Sequence, residues 1–317
     1  MTNEELRKIS LSKKVDRITL VTDNIHNLMR YLTNCFHLDP WTVRRVSLGN
    51  GVIYNEAILP LAGGMELQAV EPVSGDSVYM NFLRRFGKGI MGVRERISAG
   101  KWEEYLARCA ALGVRTEKCA DGHGVWLDLT DRLGGMICLI RDDSGISTAA
   151  GGHIRICQIC IVTDDILRTA HDMSEVLQVG PWEIGKANNK TFQDLECSGY
   201  AAGRMPENSF LVGIAMYGSL QFELIQPQNG PLPYFAFLNR RGVGFHHIKQ
   251  MLPTRQAYEQ SLQRIKGLGL KTALAGKIGP CPWHNWATED ALGFVFEMND
   301  NTELTSLPEG YDPYFVQ

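Results

Sequence analysis

The sequence predicts an α+β chain of two homologous domains, each made of paired βαβββ units whose mixed sheet folds around a cleft. Three observations carry this. The chain has 317 residues, beyond the roughly 250–300 at which single cores stop growing. It repeats itself: Ile18-Thr19-Leu20-Val21-Thr22-Asp23-Asn24-Ile25 matches Ile159-Cys160-Ile161-Val162-Thr163-Asp164-Asp165-Ile166, 141 positions later. The same offset carries Asp39-Pro40-Trp41 onto Gly180-Pro181-Trp182. Each copy also alternates short apolar strands with single helical patterns, and a unit of that kind leaves one sheet face needing a partner.

The elements follow in order. A strand ending in Asp opens each domain, and a helix follows over 28–36 or 167–177, then two or three more strands. Tyr79-Met80-Asn81-Phe82-Leu83-Arg84-Arg85 matches Tyr234-Phe235-Ala236-Phe237-Leu238-Asn239-Arg240 at an offset of 155, so the second copy carries a longer insertion around 185–208. A strand at 90–94 or 245–251 then precedes a helix at 103–112 or 255–268. The domains are expected at 13–143 and 152–301, with a Gly/Ser/Ala-rich joint at 143–152 and a tail, 302–317, packing as an extended surface arm.

Bulk composition excludes several classes. The net charge of −3 points to neither nucleic acid nor an anionic membrane, and Arg84-Arg85 and Arg240-Arg241 read as solvated loop charges. No apolar run reaches the ~18 residues of a membrane span. Residues 1–14 alternate charges instead of forming a secretion signal. Eight cysteines lack pairing or ligand spacing, and Cys157 and Cys160 of one strand should face opposite ways, so reduced thiols in a cytoplasmic protein fit best.

Gln158, Glu223, His247 and Glu297 each interrupt an apolar strand-like run. Burying an unpaired neutral polar group costs roughly 2–7 kcal/mol, and a charge costs more. Individually each has a plain explanation: a hydrogen-bonded core histidine, solvated carboxylates at sheet ends, an amide satisfied by backbone. Together, at matching places in four similar strands, they point to one shared divalent metal ion.

The pattern resembles the vicinal oxygen chelate superfamily of glyoxalase I, methylmalonyl-CoA epimerase, extradiol dioxygenases and bleomycin-resistance proteins. Glu223-Leu224-Ile225-Gln226-Pro227, Pro233–Leu238 and Gly244-Phe245-His246-His247-Ile248 are most similar to the epimerase branch. The resemblance spans nearly all of 152–301 and, more weakly, 13–143. It implies tandem vicinal oxygen chelate domains with metal ligands at Gln158, Glu223, His247 and Glu297. That set suits Zn, Co, Ni, Mn or Fe and matches animal glyoxalase I, whereas the epimerases carry histidine where Gln158 stands. By strand alternation His247 should share a face with Phe245 and Lys249, leaving His246 opposite as a structural residue. The aligned positions of the first domain, Arg17, Gln68, Gly92 and Leu139, cannot hold a metal; Arg17 there is expected to pair with Glu66 or Glu71.

The resemblance further implies chelation of substrate oxygens and stabilisation of an enolate. Glu297 is then one proton-transfer base and Glu207, sixteen residues before Glu223, the other. Trp182, Tyr200, Lys249, Trp283 and Trp286 are expected in the substrate pocket, with Tyr234 and His284 nearby. The first reading is a metal-dependent isomerase or epimerase acting beside a chelated carbonyl of an acyl-CoA or keto acid. A glyoxalase-type or other lyase, an extradiol dioxygenase and a non-catalytic resistance-type binding protein are the alternatives. Four units can close two clefts without a partner, so a monomer fits as well as a homodimer through the first domain.

Overall fold

The computed structural model describes residues 1–48, 50–119, 122–143, 151–197, 199–302 and the backbone of 312–315. Residues 144–150 of the expected joint lie outside the described residues. Two compact units divide the chain, one spanning 12–154 with 291–293 and the other combining 1–11 with the C-terminal half. The N-terminal helix α1 (Asn3–Ser12) belongs to the latter, where the Ser10 hydroxyl accepts from Gly180 N at 3.1 Å and also bonds Met216 O.

The N-terminal unit runs β1 (Lys14–Val21), α2 (Ile25–Phe36), β2 (Thr42–Ser47), β3 (Ile53–Pro60) and β4 (Glu66–Ser74), then α3 (Val78–Phe86). A second set follows: β5 (Gly89–Ile97), α4 (Trp102–Ala111), β6 (Arg115–Lys118), β7 (Gly124–Leu129), α5 (Thr130–Leu133) and β8 (Gly135–Arg141). The eight strands form one sheet ordered β2-β3-β4-β1-β5-β8-β7-β6, the two βαβββ sets joining through antiparallel β1 and β5.

The C-terminal unit repeats this plan. Its first set is β9 (Arg155–Val162), α6 (Ile166–Leu177), β10 (Glu183–Asn188), the inserted β11 (Gln193–Cys197), β12 (Ser209–Tyr217) and β13 (Leu220–Asn229). After α7 (Pro233–Arg241) come β14 (Gly244–Met251), α8 (Arg255–Gly267), β15 (Thr272–Ile278), β16 (Cys281–Trp286), α9 (Glu289–Leu292) and β17 (Val295–Asn299). The expected tail contributes β18 (Asp312–Phe315), which adds an antiparallel strand outside β10; 303–311 and 316–317 are not described. The sheet order is β11-β15-β16-β17-β14-β9-β13-β12-β10-β18.

Local chemistry reproduces the duplication. The side chains of Asn24 and Asp165 accept from Asn27 N and Arg168 N and so cap α2 and α6. Both helices end in a left-handed residue, His37 and Gln178, and both domains have a cis Xaa-Pro bond, at Pro40 and Pro181. The Tyr79 and Tyr234 blocks are helical, because Ser77 caps one and Pro233 occupies the first turn of the other. The paired arginines expected in loops therefore sit in the last turns of α3 and α7, where the helix dipole favours cations.

The insertion has a geometric consequence. It leaves β10 at one side of the sheet and enters β11, hydrogen-bonded to β15 at the other. The four-residue link 189–192 spans at most roughly 18 Å. The sheet must therefore curl until its margins approach, with the link lying across the hollow.

Candidate metal centre

The four predicted ligands lie on four adjacent strands at the middle of the curled sheet: Glu297 on β17, His247 on β14, Gln158 on β9 and Glu223 on β13. His247 Nε2 is 2.9 Å from Glu297 Oε2 and 3.1 Å from Glu223 Oε2. Yet Nε2 makes no properly directed hydrogen bond to either oxygen. Donors about 2.1 Å from one ion and at right angles lie about 3.0 Å apart, and the two His247 contacts match that spacing. Gln158 is buried beside them, and its Oε1 is a second orphaned buried atom. Its amide N–H is taken by Gln221 Oε1 at 2.6 Å, which leaves the carbonyl oxygen as the available donor.

A β-bulge aims the histidine. Phe245 pairs with Ile161 but His247 pairs with Cys160, so His246 is an extra residue. The expected sharing of a face by Phe245 and His247 fails here, because the bulge resets the alternation. Phe245 instead packs against Phe222, with ring centroids 6.3 Å apart. Nor is His246 directed away: its Nδ1 is 3.0 Å from His247 Nδ1, and its ring meets Tyr234 and Phe237 edge-on. Burial pushes the His246 pKa well down, so a neutral His246 accepts from His247 Nδ1–H and leaves Nε2 to the two carboxylates.

Electrostatics couple the cluster. Burial opposes charge on His247, but Glu297 and Glu223 outweigh it and raise its pKa to about 9. Burial likewise opposes the Glu297 carboxylate, but Lys249 and His247 hold it below the usual range. Lys249 Nζ lies 2.9 Å from Glu297 Oε1. Without metal, the buried imidazolium is the cation between the two carboxylates.

Cys160 was missed as a member of the cluster. Its Sγ lies with donor atoms of Glu223 and His247 within 4.8 Å of one another. The signal was present, since Cys160 is two residues from Gln158 on the same strand. Burial, then Glu223, pushes its thiol pKa well up, so it is a protonated thiol beside the carboxylate. Cys157 departs from expectation too. A bulge at this residue turns it to the cleft rim, with Sγ 3.6 Å from Lys249 O, although the cysteines are all free.

The cleft above these donors holds about 520 Å³, within the range of small-molecule sites. Lys249 and Trp283 line it. Stacked Phe192 and Phe210 (5.3 Å, 13°), with Trp283 edge-on to Phe192 and Tyr234 edge-on to Phe210, form an apolar wall. Trp182 and Trp286 do not line it; both are buried core, and Trp286 packs 4.0 Å from the His284 ring. Tyr200 is exposed on the inserted loop, and Glu207 is exposed on the turn before β12, neither of them lining the cleft. Among the polar residues that sequence reasoning overlooked are Gln221 and Asn285, the latter buried with Oδ1 unpartnered. Asn285 pairs in register with Glu297.

The N-terminal unit carries the same frame with other chemistry. Register places Gly92, Gln68 and Arg17 at the His247, Glu223 and Gln158 positions, as aligned. The Glu297 counterpart is Cys138 and not Leu139, because Arg94 pairs with Cys138 as Lys249 pairs with Glu297. Arg17 bonds Glu66 at 2.6 and 2.9 Å, one of its two expected partners. Gln68 is held by Thr19 at 2.9 Å and by Glu56. A Cβ on Gly92 would lie 1.6 Å from Met136 O, so no ligating side chain fits there. The remaining hollow is about 120 Å³.

No family model and no curated protein matches the sequence. Solved structures do. A 4-hydroxymandelate synthase variant from Streptomyces coelicolor superposes with TM-score 0.60 at 11% identity, over 93% of this chain and 94% of that one. The 2,2',3-trihydroxybiphenyl 1,2-dioxygenase from dibenzofuran-degrading Sphingomonas wittichii strain RW1 gives 0.52 at 11%, over 96% and 99%. The Mn(II)-bound glyoxalase from Novosphingobium aromaticivorans gives 0.52 at 10%, over 93% and 84%. The chain has the tandem vicinal oxygen chelate fold. At these identities the likeness establishes the fold, and the chemistry rests on the site.

Proposed function

We propose that the protein is a metal-dependent enzyme that moves a proton beside a carbonyl of a small molecule, an isomerase, epimerase or lyase reaction. The observation that carries this is the close convergence of His247 Nε2 on Glu223 and Glu297 beneath an apolar cleft. Gln158, Glu223, His247 and Glu297 would hold the metal. When bound, such an ion acts as a Lewis acid on substrate oxygens, worth several kcal/mol to developing negative charge.

The chain's own residues supply the rest. Glu223 and Glu297 flank His247 on separate strands, and each can accept or return a proton at a carbon held between them. This replaces the role expected of Glu207. The aromatic wall binds the apolar body of the substrate and excludes water. Asn285 Oδ1 is free to accept from a substrate hydroxyl or amide.

The second reading is an extradiol-type dioxygenase, favoured by the span of both domains in the dioxygenase superposition. That chemistry ordinarily uses two histidines and one carboxylate on Fe(II), whereas this site offers one histidine and two carboxylates.

The test is metal analysis followed by exchange in deuterated water. About one transition-metal ion per chain is expected, with Glu297→Gln losing it. α-Keto acids and acyl thioesters should gain deuterium at the carbon beside the carbonyl. Oxygen uptake with catechols in the Fe(II) form, without exchange, establishes the second reading instead.

A further inference from the structure

Two ligand side chains of the cluster are ambiguous by nature. A carboxylate can offer one oxygen or two, and a carboxamide can offer oxygen or present its N–H. The structure resolves both ambiguities with neighbours that are not ligands. Gln221 takes the Gln158 N–H, leaving Oε1 unpartnered. Lys249 takes Glu297 Oε1 at 2.9 Å, leaving Oε2 facing His247 at 2.9 Å.

The backbone fixes the Lys249 contact. Lys249 pairs with Glu297 across parallel β14 and β17, and with Gln158 across antiparallel β14 and β9. Both neighbours are ligands, and the Lys249 side chain is only 14% exposed. In the N-terminal unit the same position is Arg94, which turns to Asp16 at 2.7 and 3.0 Å while Cys138 stands where Glu297 would be. A cation is retained in both copies, but only the copy with a full donor set directs it at a ligand carboxylate.

We propose that Lys249 is a positioning residue that occupies Glu297 Oε1 and so would present a bound metal with Oε2 alone. This rests on the proposed metal site. A buried ion pair whose only role were packing would leave the ligand count at the metal unchanged when removed. A positioning role would not. With Lys249 gone, Glu297 Oε1 has lost its partner in a buried setting, and the nearest compensating charge is the metal itself.

The experiment uses Mn(II) as the probe and water-proton relaxation as the readout, on the full chain. Six-coordinate Mn(II) held by four protein oxygens or nitrogens keeps two waters. The wild type is expected to show relaxivity corresponding to two waters, and acetohydroxamate, a two-oxygen chelator, should displace both. Lys249→Met, checked for folding by circular dichroism, should lose about half of the inner-sphere relaxivity and bind acetohydroxamate at least tenfold more weakly. Lys249→Gln keeps an uncharged N–H donor within reach of Glu297 and should retain both waters, which guards against a folding defect of the methionine variant.

Unchanged relaxivity in Lys249→Met overturns the proposal. So does a loss in Lys249→Gln equal to that in Lys249→Met, since a donor to Glu297 Oε1 would then not be what holds it. A wild type that takes up no Mn(II), Co(II) or Zn(II) overturns the metal reading beneath it, a distinct outcome from a loaded site indifferent to residue 249.

Discussion

At His247 burial and two carboxylates act in opposite directions, and the carboxylates win: the imidazole holds its proton up to about pH 9 in the metal-free protein. A ligating imidazole must be neutral, so metal uptake below that pH has to expel the proton. Affinity should therefore rise with pH, up to tenfold per unit below about 9, and level off above. Titration calorimetry in buffers of different ionisation enthalpy should count about one proton released at pH 7; zero would refute the coupling. The same raised pKa sets a stability window. The imidazolium–carboxylate interaction is fully present below the unfolded value of about 6.5 and is lost as pH rises through about 9. Melting temperatures of the metal-free protein should fall across that interval, and metal should reverse the trend. His246 contacts His247 through Nδ1. His246→Ala should weaken metal binding by roughly 10–100-fold, as loss of such outer partners does, whereas a purely structural His246 would change melting without changing affinity.

Among the elements, the bulges decide what strand alternation alone could not. An extra residue shifts every later side chain to the other face, and nothing in Phe245-His246-His247 marks which residue is extra. That is why Phe245 was placed wrongly and why His246 looked remote from the metal. The same bulge recurs at Met91, the His246 counterpart in the first copy, between the pairs Thr19–Gly92 and Leu20–Ile90. The feature is common to both copies, with ligand-type residues beside it only in the second. Gly92 then has no room for any Cβ beside Met136 O. Gly92→Ala is predicted to destabilise the N-terminal unit by at least about 2 kcal/mol, measured by denaturant unfolding. Gly92→His should not create a second metal site. A fully stable Gly92→Ala protein would mean that the β5–β8 backbone relaxes freely.

For the molecule as a whole, the duplication and the βαβββ order were legible because repeats, Asp-terminated strands and helix caps are local signals. The four polar strand positions were legible for a similar reason, polar residues being rare in buried strands. The cleft wall was less so. Trp182 and Trp286 carry the same composition signal as Trp283, yet only Trp283 faces the hollow, since burial in a curled sheet depends on register between distant strands. Glu207 was placed by spacing in an insertion, where spacing has no structural meaning. The insertion itself supplies Phe192, so Phe192→Ala and Trp283→Ala should weaken binding of apolar ligands by about 1–3 kcal/mol each while leaving metal content intact. Crystals soaked in Mn(II) and measured at the manganese edge give the most direct test of the central claim. One anomalous peak should lie about 2.0–2.3 Å from Gln158 Oε1, Glu223 Oε2, His247 Nε2 and Glu297 Oε2, with none between Arg17 and Gln68. A protein that crystallises without such a peak, or with one away from these atoms, contradicts the account.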